Sequence, residues 1–117
     1  MNKRNIGSLY EEKAVEYLKN NGFTVIVKNF RCPKGEIDII AIKEDILRFI
    51  EVKYRKNTEY GYAKEAVNKT KMNKIYNSAM WFITCNPVYS DTQCSFDVIS
   101  IQGDNIEYTV SYTHLTL

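Results

Sequence analysis

Apolar and polar positions along this chain change period several times, and each change predicts an element. Over residues 7–21 the period is helical. At about 100° per residue, Tyr10, Ala14, Val15, Tyr17 and Leu18 fall within one arc of about 160°. Gly22 follows as a C-terminal stop. Glu12, Lys13, Glu16 and Lys19 point away from the arc, and Leu9 is an apolar residue on the polar side. Glu11 points into its middle, either as a directed acid or as a first-turn acid complementing the helix dipole. Phe23–Phe30 then alternates weakly and predicts a first strand, and Arg31-Cys32-Pro33-Lys34-Gly35 reads as a turn.

Two arms rich in Ile, Val and Phe follow, Glu36–Ile42 and Ile46–Tyr54, broken only at Lys43-Glu44-Asp45. They predict a β-hairpin. A second helix is expected from Tyr62 to Thr84, where Ala63, Ala66, Val67, Ile75, Ala79, Phe82 and Ile83 recur at three- and four-residue spacing. Lys71 lies four residues from both Val67 and Ile75, on that apolar stripe, flanked by Lys64, Lys69 and Lys74. After a loop over 86–94, Ser95–Ile101 alternates as a strand, Gly103-Asp104-Asn105 turns the chain, and Ile106–Tyr112 returns. The element order α-β-β-β-α-β(-β) predicts an α/β fold, a mixed sheet flanked by helices.

The hairpin also carries the candidate chemistry. A turn between Glu44 and Asp45 sets Asp38 directly opposite Glu51, with Cβ atoms roughly 5 Å apart. Lys53 is two residues from Glu51 and shares its face. Like charges facing each other across a sheet are destabilising, so two carboxylates with a lysine beside them suggest a divalent cation. Mg²⁺ or Mn²⁺ takes oxygen ligands and retains waters. Asp38 and Glu51 provide two carboxylates, and the Val52 backbone carbonyl is a candidate third ligand. Lys53 would polarise an attacking water or neutralise charge in a transition state, and Glu11 would complete the site from the first helix. The bland alternative is an exposed sheet face on which Lys53 simply neutralises two acids. Asp97, at the start of a strand, is either a second candidate acid or, as expected for a strand-start acid, paired with a nearby cation.

Composition narrows this further. A chain of 117 residues builds one core, here assigned to residues 1–110, with 111–117 expected to be a disordered or non-native tail. No apolar run reaches the length of a membrane span. The first residues lack the apolar core of a signal peptide, so the expected location is cytoplasmic. All 16 Lys and Arg fall within residues 1–74 with 10 of the 14 acids, leaving that part at +6 and the remainder at −4. A basic portion suits a polyanionic partner. The basic turn with Arg31 and Lys34 offers phosphate contacts or is a plain solvated loop. The single histidine, His114, argues against Ser-His-Asp, Cys-His and histidine-based metal sites. Cys32, Cys85 and Cys94 have no metal-ligand spacing.

GEIDIIA followed by FIEVKYR resembles the PD-(D/E)XK, or restriction-endonuclease-like, nuclease superfamily. More closely, the chain resembles the YraN-like family of small bacterial proteins from about Ile6 to Ile101. The resemblance rests on Glu11, Ala14 and Leu18; Gly22-Phe23; Asn29-Phe30-Arg31; Gly35-Glu36-Ile37-Asp38; Glu51-Val52-Lys53 with Arg55; Gly61, Ala66-Val67 and Lys71; and Phe96-Asp97-Val98. It implies metal ligation by Asp38 and Glu51, a catalytic Lys53, an ancillary Glu11, and nucleic-acid contacts from Lys71 and Arg55. The implied activity is Mg²⁺-dependent endonucleolytic hydrolysis, on DNA and on branched or structured substrates. A homodimer is the expected assembly for a junction cutter, which needs two sites. The alternative is a non-catalytic nucleic-acid-binding or adaptor protein retaining the fold. A third possibility is a protein-interaction module using the nine tyrosines. The superfamily's proline before the first acid is Ile37 here, a glycine usual before the helical acid is Tyr10, and the ending after about Tyr108 departs from the family's.

Overall fold

A computed structural model describes residues 3–55 and 69–116 of the chain. Helix α1 (Lys3–Asn20) leads into strand β1 (Thr24–Cys32), β2 (Gly35–Lys43) and β3 (Ile46–Arg55). Helix α2 (Lys69–Cys85), a single 3-10 turn at Pro87–Tyr89, β4 (Gln93–Gln102) and β5 (Asn105–Thr116) complete the order α-β-β-β-α-β-β. The predicted start of the second helix, with Ala63, Lys64, Ala66 and Val67, lies outside the described residues.

Helix α1 stops as its sequence requires. Gly22 takes a positive φ of 86°. The Phe23 N–H donates to the Leu18 carbonyl (2.9 Å) and the Gly22 N–H to that of Lys19 (3.4 Å). These are the two bonds of a Schellman cap, and its apolar contact is supplied by Phe23 and Leu18, which share a core cluster.

The five strands form one sheet in the order β1-β2-β3-β4-β5. The first three make an antiparallel meander, β4 runs parallel to β3, and β5 returns antiparallel to β4. A parallel pair needs a crossover connection, and here the connection contains α2. Strand alternation sorts the core. Ile40, Leu47, Phe49 and Phe96 pack with Ala79, Phe82 and Ile83 of α2. Ile39, Ala41, Ile50, Ile99 and Ile101 pack with Ala14 and Leu18 of α1 on the other face. The predicted mixed sheet flanked by helices is therefore the observed architecture.

One expectation changes. The backbone of β5 pairs with β4 as far as Cys94↔Leu115 and Gln93↔Thr116, beyond the Tyr112 at which the strand was expected to end. Main-chain pairing, which side-chain pattern does not reveal, carries that extension.

Candidate active site

The hairpin register is the one its turn dictates. Glu44 and Asp45 both have positive φ (57° and 63°), as a two-residue type I′ turn requires. From Lys43↔Ile46 the pairs run to Ile39↔Ile50. One step further the register points Asp38 at Glu51, and there the ladder stops. On the other side, β1 pairs Lys28↔Ile39 and Phe30↔Ile37 but skips Asn29 opposite Asp38. Asn29 is in the left-handed region (φ 55°), which Asn tolerates better than most residues. Asp38 thus sits in a gap between two ladders, and its Oδ2 accepts the N–H of Val52 (2.8 Å) in place of a main-chain acceptor. The N–H and C=O of a strand residue point to the same side, so the Val52 carbonyl is directed towards β2 as well.

By alternation Glu51 and Lys53 share the α2 face with Leu47 and Phe49, and α2 brings Lys71 down on them. The Lys53 ammonium lies 3.6 Å from Glu51 Oε1. Lys71 Nζ pairs with the same oxygen. Glu51 Oε2 is buried with no hydrogen-bond partner among the described residues. Gly35 sets the helix at this distance: a Cβ there would come within 3.0 Å of Ser78 Oγ, and its φ of 148° suits glycine alone. Asp38, Glu51, Lys71 and Lys74 line a cleft of about 340 Å³ whose floor includes Phe49 and Phe96.

The charges in this site perturb one another. Burial raises the Asp38 pKa above the usual carboxylate value, partly offset by the Val52 N–H, and Glu51, Glu11 and Glu36 push it further up. Burial lowers the Lys53 pKa, and its contact with Lys71 adds to this against the pull of Glu51. For Lys71 burial also works downward, but the contacts with Glu51 and Lys53 outweigh it and the net shift is upward. Of the two lysines, Lys53 is the readier to give up its proton.

Glu11 stands apart from this cluster. It belongs to α1, on the opposite face, and its Oε1 accepts a hydrogen bond from Asn29 Nδ2 (2.8 Å). Glu11, Lys28 and Asn29 line a separate depression. Its charge reaches Asp38, but its carboxylate is held on Asn29. The role of Asn29, left-handed beside one acid and bonded to another, was not drawn from the sequence; its signal is an Asn inside an otherwise strand-forming run. Tyr10 turns to stack on Tyr54 of β3 (centroids 4.3 Å, planes 5° apart). Arg31 is exposed and pairs with Glu36 at 3.5 Å. Lys34 is exposed in the β1–β2 turn. Arg55 ends β3, its backbone paired with Gln102, and its side chain lies outside the described residues.

Asp97 finds the cation expected of it, in Arg48. Both are buried (2% and 7% exposed). Arg48 Nη1 lies 3.8 Å from Asp97 Oδ2, which also accepts from Ser95 Oγ (3.1 Å) and from the Tyr108 hydroxyl. Arg48 itself escaped notice in the sequence, although a lone arginine inside an apolar strand is signal enough.

Mg²⁺ or Mn²⁺ suits the donors at Asp38 and Glu51. Both are hard oxygen ligands, one buried carboxylate oxygen lacks a hydrogen-bond partner among the described residues, and a cation would favour the charged form of Asp38 that burial and then Glu51 disfavour. Among the described residues no group of three or more His, Cys, Asp or Glu side chains is placed to hold a metal. The protein ligands would therefore be the two carboxylates and the Val52 carbonyl, with water completing the shell.

The model of the uncharacterised protein family UPF0102 matches residues 10–101. The chain belongs to UPF0102. A UPF0102 protein of Francisella tularensis is 42% identical over 104 residues, covering 88% of this chain and 89% of that protein. One from Lachnoclostridium phytofermentans is 39% identical over 106 residues (91% and 90%), and one from Fusobacterium nucleatum is 42% identical over 108 (92% and 90%). The UPF0102 match spans Glu11, Asp38, Glu51, Lys53 and Lys71 and ends before β5. Among the described residues no helix is long and apolar enough to cross a membrane.

Proposed function

We propose that this UPF0102 protein is a metal-dependent nuclease acting on DNA, with branched or otherwise structured DNA among its candidate substrates. The observation that carries the reading is that Asp38 and Glu51 line one cleft with the Lys53 ammonium 3.6 Å from Glu51, whose buried Oε2 has no hydrogen-bond partner among the described residues. Asp38 and Glu51 with the Val52 carbonyl would hold Mg²⁺ or Mn²⁺, which supplies Lewis acidity at the phosphoryl oxygen. Lys53 would orient and polarise the attacking water and offset the charge that builds at phosphorus, and the water's proton passes to solvent as its oxygen bonds to phosphorus. The bond from phosphorus to the leaving sugar oxygen breaks, and that oxygen takes a proton from solvent. Lys71 and Lys74, on the wall of the cleft, would face the phosphate backbone, with Arg31, Lys34 and Arg55 as outer contacts.

Mg²⁺ and Mn²⁺ titrations against duplex, flap and four-way-junction DNA test this. Cleavage should require the metal, and Asp38→Ala, Glu51→Ala or Lys53→Ala should each reduce it by about 100-fold or more with circular dichroism unchanged. Cleavage that survives all three substitutions overturns the assignment. DNA binding that needs no metal and tolerates Asp38→Ala, without cleavage on any substrate, would instead mark a non-catalytic binding protein.

A further inference from the structure

Glu51 is served unevenly. Oε1 carries two ammonium groups, those of Lys53 and Lys71, while the buried Oε2 has no hydrogen-bond partner among the described residues. The two lysines differ in freedom. Lys53 is two residues from Glu51 on the same strand, and its side chain is 19% exposed. Lys71 arrives from α2, its side chain is 36% exposed, and it lines the cleft. A lysine carries a compact charge on a flexible four-carbon stem, so Lys71 can leave Glu51 by rotating its stem while Lys53 stays.

We propose that Lys71 is a stand-in cation: it neutralises Glu51 in the metal-free protein, yields the carboxylate to the divalent metal, and is thereby released to bind a nucleic-acid phosphate. The proposal rests on the metal-site reading above. Without a metal, Asp38 and Glu51 would face each other unneutralised but for Lys53, and a second ammonium holds the site in shape. With the metal, three positive charges meet at one carboxylate, and Lys71, the more exposed of the two lysines, moves. Lys74 lies one turn along α2 in the same cleft, so a released Lys71 has a neighbour with which to clamp an anion. Metal and nucleic acid then favour each other's binding, and by linkage the effect is reciprocal.

Calorimetric titration of the full chain with Mn²⁺, without nucleic acid, tests this directly. Lys71→Met keeps the stem and removes the charge; it should bind Mn²⁺ about tenfold more tightly than the parent, because the competing charge-assisted contact is gone. Lys71→Arg retains the charge and should stay near the parental value. Lys69→Met, which removes an exposed charge at the start of the same helix, should move affinity less than about twofold if long-range charge is screened. Equal or weaker Mn²⁺ binding by Lys71→Met overturns the proposal and leaves the metal site standing. Failure of both the parent and Lys71→Met to bind Mn²⁺ overturns the metal site and the proposal together. Binding by Lys71→Met alone would support both.

Discussion

Asp97 illustrates what a buried charge does at the scale of one residue. Burial raises its pKa, and the contacts from Tyr108, Ser95 and Arg48 offset this only in part. The Tyr108 hydroxyl is raised as well, by burial first and then by Asp97 itself. A folded-state pKa above the unfolded one means that the folded chain keeps the proton longer. Stability is then greatest with the proton on, and it falls as pH rises from the ordinary carboxylate value of about 3.9 through the raised one. Asp97→Asn keeps one acceptor oxygen for the donors around it and removes the titration. The parent should therefore lose stability relative to Asp97→Asn across that window, as urea midpoints measured from pH 4 to 7 will read. Parallel curves for the two proteins would remove Asp97 as the source. The pairing of Asp97 was legible in the sequence, because a strand acid must find a cation. The identity of the partner was not, because Arg48 and Asp97 meet only through the parallel register of β3 and β4.

At the scale of the element, the β2–β3 hairpin was the most legible part of the chain. Alternation admits two registers, one for each face, and a two-residue turn selects between them. What alternation does not announce is where a ladder ends. Asp38 was expected to face Glu51 in a regular pair; instead β2 parts from both neighbours there, and the carboxylate takes a main-chain donor. The turn itself is unusual for its type, since neither Glu44 nor Asp45 is glycine although both lie at positive φ. Glu44 is engaged by Arg48 at 3.4 Å, which leaves Asp45 the better target. Asp45→Gly removes the Cβ clash of the left-handed conformation and should raise stability by about 1 kcal/mol. A urea midpoint no higher than the parent's would show that this turn carries no such strain.

For the whole molecule, the decisive feature is that α1 and α2 cover opposite faces of the sheet while Asp38 lies within the sheet, in the gap between the ladders that β2 forms with β1 and β3. This explains why Glu11 acts on Asp38 by charge although its carboxylate rests on Asn29. Helical periodicity placed Glu11 on the apolar arc of α1, where it is half-buried against Asn29, but which face α1 covers depends on a chain path that periodicity does not contain. The approach of α2 depends on Gly35, where a side chain would meet Ser78 and strain the backbone. Gly35→Ala should cost about 1–3 kcal/mol, measured by thermal or urea unfolding. A loss below about 0.5 kcal/mol would mean that helix and hairpin have room to part.

The crossover between β3 and β4 also sets an order in time. Asp38, Glu51 and Lys53 lie on one hairpin closed by a two-residue turn, and hairpins form in about 1–10 μs. The β3–β4 pairing and the docking of α2 are non-local and must first meet the entropy of closing a long loop. During synthesis the hairpin emerges before α2. Asp38 and Glu51 can therefore meet with Lys53 on their own hairpin before Lys71 arrives as the chain completes its sheet. The contact of Lys71 with Glu51 spans the crossover, so it closes only when the non-local part of the sheet does.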